Sequence, residues 1–356
     1  MPELIPFLKD LLSAPGLSGN EDPVADIIRT RWKPLVHDLG LSKVGSVHGF
    51  RRGTGKAPRP SVMICTHMDA IGLMVTGITD GFLRVTSVGG VDPRVLPGQL
   101  VTVHATRAGG QALPAVVAQP STRLLPPELG DASVPLEHLL VDTGLPPKKV
   151  AQLVQVGDLV SYGSKPVELA GDLITGHTLD DRAAVAALTV CLEELQSRPH
   201  AWDVWAVASV GEEVGMTGGY TSAFELQPDI ALVSDVTFAK GPGASDWLTV
   251  PIGKGPTLTM GPNIHPALYK SFKDLADRLE IPIVLEYAPR HTGTDTYATQ
   301  ITAAGIPSVL FGIPLRYMHT PVEMVSIKDI QRLGRLMAEF IAALTPDYME
   351  KIVWEA

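Results

Sequence analysis

The strongest periodicity in the chain lies in its last fifth. Between residues 327 and 344 the apolar positions Ile327, Ile330, Leu333, Leu336, Met337, Phe340, Ile341 and Leu344 recur at helical spacing. They form one apolar stripe of an amphipathic helix. Ser326 and Asp329 read as a capping-box-like start, and Pro346 as the stop. Residues 3–13 predict a shorter amphipathic helix, halted by Pro15 and Gly16. Further helices are expected over 21–36, 181–195 and 266–279. Compact apolar runs bounded by proline, glycine or polar residues predict buried strands over 61–66, 203–210, 230–234, 282–287 and 307–313. Strands alternating with helices in this way predict an α/β fold on a mixed sheet.

From about residue 71 to 163 the texture changes. Short apolar stretches alternate with glycine and proline, as in GGVDPRVLPGQLVTVHA, and long helical periodicity is missing. This predicts a small all-β module of short strands. The segment before it is too short to fold alone. Residues 1–70 and 168–356 are therefore expected to form one α/β unit, with residues 71–167 inserted into it.

Composition narrows the class. The chain has 356 residues, 45% of them hydrophobic and 19% charged, which is globular rather than disordered. The charge is 29 − 38 = −9. That balance argues against nucleic acid or an anionic membrane as partner. Cys65 and Cys191 are the only cysteines, so a disulfide framework and a cysteine-rich zinc module are excluded. Any bound metal must be held by His, Asp and Glu. Residues 296–315 are uncharged, but Gln300, Pro307 and Pro314 make them a helix, a turn and a buried strand rather than a membrane span. The opening residues MPELIPFLKD lack a signal-peptide core, and the expected compartment is the cytoplasm.

Five short segments carry candidate chemistry, each placed by the pattern at a strand end or the turn after it. Open α/β sheets build their sites there. In Thr66-His67-Met68-Asp69, His67 and Asp69 share a face if extended, which suits a metal ligand with an orienting carboxylate. Asp180 and Asp181 open a helix. They can serve the helix dipole, or one can bridge two cations while Arg182 neutralises the other. Glu212 and Glu213 follow the apolar run VWAVASV, where two carboxylates are costly unless paired. Extended backbone would turn one toward a metal and the other toward substrate. Asp235 closes the run IALVS, and His319 follows SVLFGIP. Two histidines with several carboxylates and no cysteine suit zinc, cobalt or manganese. Two such ions sharing a carboxylate can activate water for hydrolysis.

These segments resemble the cytosolic co-catalytic dimetal aminopeptidases of the tetrahedral, glutamyl and deblocking aminopeptidase type, some of which have been labelled endoglucanases. The resemblance is carried by THMDAIGLMV (66–75), LDDR (179–182), VGEEVGMTGG (210–219), SDVTFA (234–239), GKGPTL (253–258), TGTDTYA (292–298) and RYMHTPVE (316–323), in the family's order. It implies a zinc-peptidase-like catalytic domain with an inserted β-barrel that serves oligomerisation. It implies that Asp180 bridges two divalent ions, zinc or cobalt with manganese also suited. Asp235 and His67 would complete one site, Glu213 and His319 the other. Glu212 would be the general base, taking a proton from the bridging water and passing it to the leaving amine. Asp69 would orient His67. The implied substrates are short peptides with a free N-terminus, and the implied state is a homo-oligomer, from dimer to dodecamer. Asp181 stands where many relatives have Asn, and the run Thr292-Gly293-Thr294-Asp295-Thr296 departs from Gly-Gly-Thr-Asp-Ala. Those positions bear on the substrate pocket or the subunit contacts rather than on the ligands.

Other residues have plainer expectations. Cys65 is read as a buried apolar thiol and His177 as a possible neighbour of Asp180. Thr294 and Asp295 are placed near the site or a subunit boundary. Arg290 or Lys240 would favour an acidic substrate side chain. The rival functions are another dimetal amidohydrolase, such as a deacylase or deblocking peptidase, and a catalytically silent assembly protein. A glycosidase would leave the histidines without a role.

Overall fold

A computed structural model describes residues 3–129 and 132–354. The chain opens with helices α1 (Leu4–Ser13) and α2 (Asp22–Trp32) and strands β1 (Asp38–Leu41), β2 (Val47–Arg51) and β3 (Ser61–His67). The segment that follows holds β4 (Gly72–Thr79), β5 (Phe82–Val88), β6 (Leu100–Ala105), β7 (Gln111–Ala118), β8 (Leu140–Asp142), α3 (Pro147–Leu153) and β9 (Leu159–Tyr162). Next come β10 (Val167–Leu169), β11 (Leu173–Gly176), α4 (Leu179–Leu195), β12 (Asp203–Ser209), α5 (Thr217–Leu226) and β13 (Ile230–Phe238). The chain closes through β14 (Thr257–Met260), α6 (Pro266–Arg278), β15 (Val284–Tyr287), α7 (Asp295–Gln300), β16 (Ser308–Arg316), β17 (Glu323–Ser326) and α8 (Ile327–Ala343).

Strands β4, β5, β8, β7, β6 and β9 close into a barrel. Its alternating inward residues, among them Leu73, Val75, Leu83, Val101, Val103, Val117, Val141 and Val160, form their own buried core. The other strands form one mixed sheet. At its centre β12, β3, β13 and β16 run parallel. These strands are buried nearly throughout, which explains their continuous apolar runs. The fold is thus the mixed α/β architecture with an inserted barrel.

Helix α4 is buried along nearly its whole length, and apolar through its middle, because it lies between the sheet, α1 and α8. Close approach of the two helices depends on Gly334, where a Cβ would sit 2.5 Å from the Ala187 carbonyl oxygen. No helix among the described residues is long and apolar enough to cross a membrane.

Several local expectations need correction. Helix α2 stops at Trp32 rather than 36, since Pro34 has no N–H to continue it. The hairpin β1–β2 does not announce itself as an apolar run, because β1 is short and exposed and the buried half of β2 holds His48 and Gly49. The all-β segment contains the short helix α3. At α8 no side-chain cap forms on Ser326. Asp329 instead accepts hydrogen bonds from the Gly253 and Gly255 amides, at 2.6 and 2.9 Å, and so ties down the loop before β14.

Candidate metal centre

His67 is the last residue of β3, at the carboxyl end of the parallel strands. Its Nε2 lies 3.1 Å from Asp180 Oδ1, 3.8 Å from Asp235 Oδ1 and 3.9 Å from Glu212 Oε2. His319, in the turn after β16, has its Nε2 3.4 Å from Asp180 Oδ2 and 3.4 Å from Glu213 Oε2. Asp180 therefore turns one carboxylate oxygen to each histidine. Two triads result, His67–Asp180–Asp235 and Asp180–Glu213–His319, and in each the donor atoms lie within 4.8 Å of one another. Mixed imidazole and carboxylate donors at that spacing can hold a divalent cation such as zinc, cobalt or manganese.

The electrostatics point the same way. Asp69, Asp180, Asp181, Asp235, Asp295 and Glu323 are all buried around the two histidines. Among the described residues, none of these acids has a Lys or Arg within 4.0 Å. Burial pushes the Glu212 carboxyl up to about 10 and Glu213 to about 7, with the Asp180 charge adding to the latter. Burial also drives Asp235 well above the usual carboxylate range. The hydrogen bond to Asp180 raises His319 to about 9 against its partial burial. Burial alone would lower His67, but Asp180 and Asp69 hold it well above its ordinary value. For Asp180, the two histidines outweigh burial and keep it well below the usual range. The cluster holds more buried acids than its own side chains can pair, a condition that bound cations satisfy.

The supporting contacts are specific. Asp69 Oδ1 lies 3.5 Å from His67 Nδ1, and the Asp69 carbonyl 3.2 Å from it. The same carboxylate accepts hydrogen bonds from Ser18 Oγ at 2.6 Å and from the Glu212 and Glu213 amides at 3.0 and 3.3 Å. One residue thus fixes both the His67 ring and the turn that presents the two glutamates.

The glutamate turn corrects an expectation. Residues 211–216 are not extended: Gly211, Gly215 and Met216 have positive φ, and both glutamate side chains reach the cluster from a turn. Asp235 does not close its strand but sits inside β13, which runs on to Phe238. Arg182 forms no ion pair with Asp181, and its charge is felt instead by Asp69, Glu323 and Glu21. Its buried guanidinium donates to the carbonyls of Leu11, Ala14, Gly16 and Met68, and so terminates α1. Asp181 accepts from the His67 amide at 3.3 Å.

Glu323 was missed as a supporting group, although it lies in the RYMHTPVE segment. It is buried, and its two oxygens accept from the Asp180 amide at 3.2 Å and the His319 amide at 2.9 Å. His319 and Tyr317 both have φ of 62°, a conformation uncommon outside glycine.

Cys65 is a buried thiol within the main hydrophobic core, as expected, and it also touches one acid. Its Sγ donates to Asp295 Oδ2 at 3.5 Å, beside the Ser209 hydroxyl that donates to the same oxygen. Burial lowers His177 to about 3, and its ring faces Tyr162. Thr294 lines the cleft above the cluster, and Lys240 pairs with Asp246 at 2.6 Å.

The sequence profile of the M42 glutamyl aminopeptidase family matches residues 45–336. The chain belongs to the M42 glutamyl aminopeptidase family. It is 32% identical over 344 residues to a lysyl aminopeptidase of Pyrococcus furiosus, covering 96% of this chain and 97% of that protein. A solved aminopeptidase from the archaeon Desulfurococcus kamchatkensis is 33% identical, with a TM-score of 0.90 over 99% of this chain and 98% of that one. The TET1 peptidase of Pyrococcus horikoshii, described as able to assemble into a tetrahedron or a large octahedral shell, is 25% identical. Its TM-score is 0.82 over 96% of this chain and 100% of that one. M42 membership makes the chain a peptidase of the aminopeptidase class.

Proposed function

We propose that this M42 peptidase uses two divalent ions to remove N-terminal residues from short peptides. His67, Asp180 and Asp235 would hold one ion, and Asp180, Glu213 and His319 the other. The observation that carries the reading is Asp180, whose two oxygens face different histidines. When bound, the ions supply Lewis acidity that polarises the scissile carbonyl and eases deprotonation of the attacking water.

The chain's own residues do the rest. Glu212 reaches to within 3.9 Å of His67 Nε2 but belongs to neither triad. Where bound cations offset the burial that raises its carboxyl and keep it ionised, it is free to take the proton of the attacking water and deliver it to the leaving amine. Asp69 keeps the His67 imidazole in one orientation, with Nε2 toward Asp180 and Asp235, where it would serve as a ligand. Glu323 does the same for the backbones of Asp180 and His319. The carboxylates around the cluster offer acceptors to the free α-amino group of a peptide, which a blocked N-terminus would lack as a cation.

We extend the proposal to self-assembly, from dimers up to a dodecamer, in the cytoplasm. The Pyrococcus horikoshii relative assembles in a comparable way, and the exposed Leu100 and Leu124 of the barrel segment suit a contact there.

The test is hydrolysis of aminoacyl nitroanilides after chelation and after adding back zinc, cobalt or manganese, each substrate paired with its N-acetylated twin. Metal-restored cleavage of free-amine forms alone is the expected result. Equal cleavage of acetylated forms would move the reading to a deblocking or deacylase activity.

A further inference from the structure

A cleft of about 340 Å³ extends from the acid and histidine cluster to a carboxylate of different character, Glu286 on β15. Its Oε1 accepts from the Thr237 hydroxyl at 2.5 Å and its Oε2 from the Thr257 hydroxyl at 2.7 Å. The Thr257 hydroxyl itself accepts from the Gly312 amide at 2.9 Å, so its single proton is the one given to Glu286. Both threonines are buried, at 8% and 0% exposure. Gly312 makes the arrangement possible. A Cβ there would lie 2.5 Å from Thr257 Oγ1 and 2.8 Å from Thr237 Cγ2. Strands β13, β14 and β16 thus build a cradle whose product is one oriented carboxylate facing the cleft.

That carboxylate lacks a cation. Among the described residues no Lys, Arg or His lies within 4.0 Å of Glu286. Thr237 stands two residues beyond Asp235 on β13, hence on the same face of the strand and roughly 6.6 Å further along it. A side chain attached to a residue held at the cluster therefore meets the cradle at about the reach of a lysine's four-carbon stem. Phe238, Leu310 and Met318 line the way and suit the apolar part of such a stem.

We infer that the cleft selects peptides whose N-terminal residue is lysine or arginine, and that Glu286 is the residue that determines this. The inference rests on the aminopeptidase reading above. An acidic N-terminal side chain would bring a second carboxylate against Glu286 and be rejected. The expectation that Arg290 or Lys240 favours acidic substrates finds no support in the cleft, whose lining includes neither.

The experiment compares lysyl, arginyl, leucyl and glutamyl nitroanilides on the metal-loaded enzyme and on Glu286→Gln. Glutamine keeps an acceptor for one threonine and nearly the same shape. The readout is the ratio of kcat/KM between substrates within one preparation, which cancels any loss of folded protein. The expected wild-type order is lysyl and arginyl above leucyl, and leucyl above glutamyl. In the variant the lysyl-to-leucyl ratio falls by roughly 10- to 150-fold, chiefly through KM. A wild-type preference for leucyl or glutamyl, or an unchanged ratio in Glu286→Gln, overturns the inference and leaves the aminopeptidase reading intact. Failure to cleave any free-amine substrate overturns both.

Discussion

The carbonyl oxygen of Gly90, in the barrel segment, lies 3.1 Å from Nδ1 of His319, in the turn after the last central strand. An imidazole whose Nδ1–H donates to that carbonyl presents the lone pair of Nε2 to Asp180 and Glu213. The insert therefore sets the tautomer of a residue in the other unit. A Cβ at position 90 would sit 2.7 Å from that Nδ1. Gly90→Ala should displace the ring and lower metal affinity and activity by roughly 10- to 100-fold. Calorimetric metal titration of the folded variant measures this. Wild-type affinity would remove the barrel from any role in positioning His319.

Glu212→Gln should lower kcat by about 10²- to 10⁴-fold while the two-ion stoichiometry is retained. Metal analysis and steady-state kinetics on the same preparation separate the two. A loss of less than tenfold would take the proton-transfer role away from Glu212.

Removal of metal should expose a pH dependence of stability. His319 titrates near 9 in the fold against an ordinary 6.5, and Glu213 near 7 against 4.5. Both bind a proton more tightly folded than unfolded. Their contribution is complete below the ordinary values and is lost as pH climbs through the folded ones. Asp180, held low by the histidines, is ionised throughout this range and adds no slope. Glu212, raised by burial to about 10, adds to the same trend, so the chelator-treated protein should lose thermal stability between pH 4.5 and 10. Saturating zinc, which displaces those protons, should flatten the trend. A Tm series with and without zinc is decisive, and a metal-free Tm that rises across the range would contradict the assignment.

Arg182→Met should destabilise the protein by about 3 kcal/mol or more, because the carbonyls of Leu11, Ala14, Gly16 and Met68 lose their common donor inside the fold. Urea unfolding measures the change. If Arg182 acted instead by neutralising an acid of the cluster, metal affinity would change and stability would hardly move.

The parts legible in the sequence and the parts that were not divide along a physical line. His67, Asp180, Glu212, Glu213, Asp235 and His319 could be picked out because buried apolar runs place polar residues toward the carboxyl ends of central strands and the turns beyond, where water or a ligand must satisfy them. Their partners could not be picked out the same way. Asp69 bonding two amides of the glutamate turn, Glu323 bonding the amides of Asp180 and His319, and Asp329 tying a distant loop are contacts across more than one element. Strand periodicity fixes which face a residue takes but not which loop comes to meet it. The extended reading of Glu212 and Glu213 failed for that reason. Glu286 carried no signal at all, since its neighbours Thr237, Thr257 and Gly312 meet only when the sheet forms.

The order in which the chain supplies its site has a bearing on when that site can exist. His67 and Asp180 are 113 residues apart, with the barrel between them, and Gly90 and His319 are 229 apart. Closing loops of that length is slow and entropically unfavourable until the sheet around them exists. A growing or partly unravelled chain thus has no place where these groups converge. On the function proposed above, peptide cleavage would become available only after the last central strand has docked and brought His319 to Asp180.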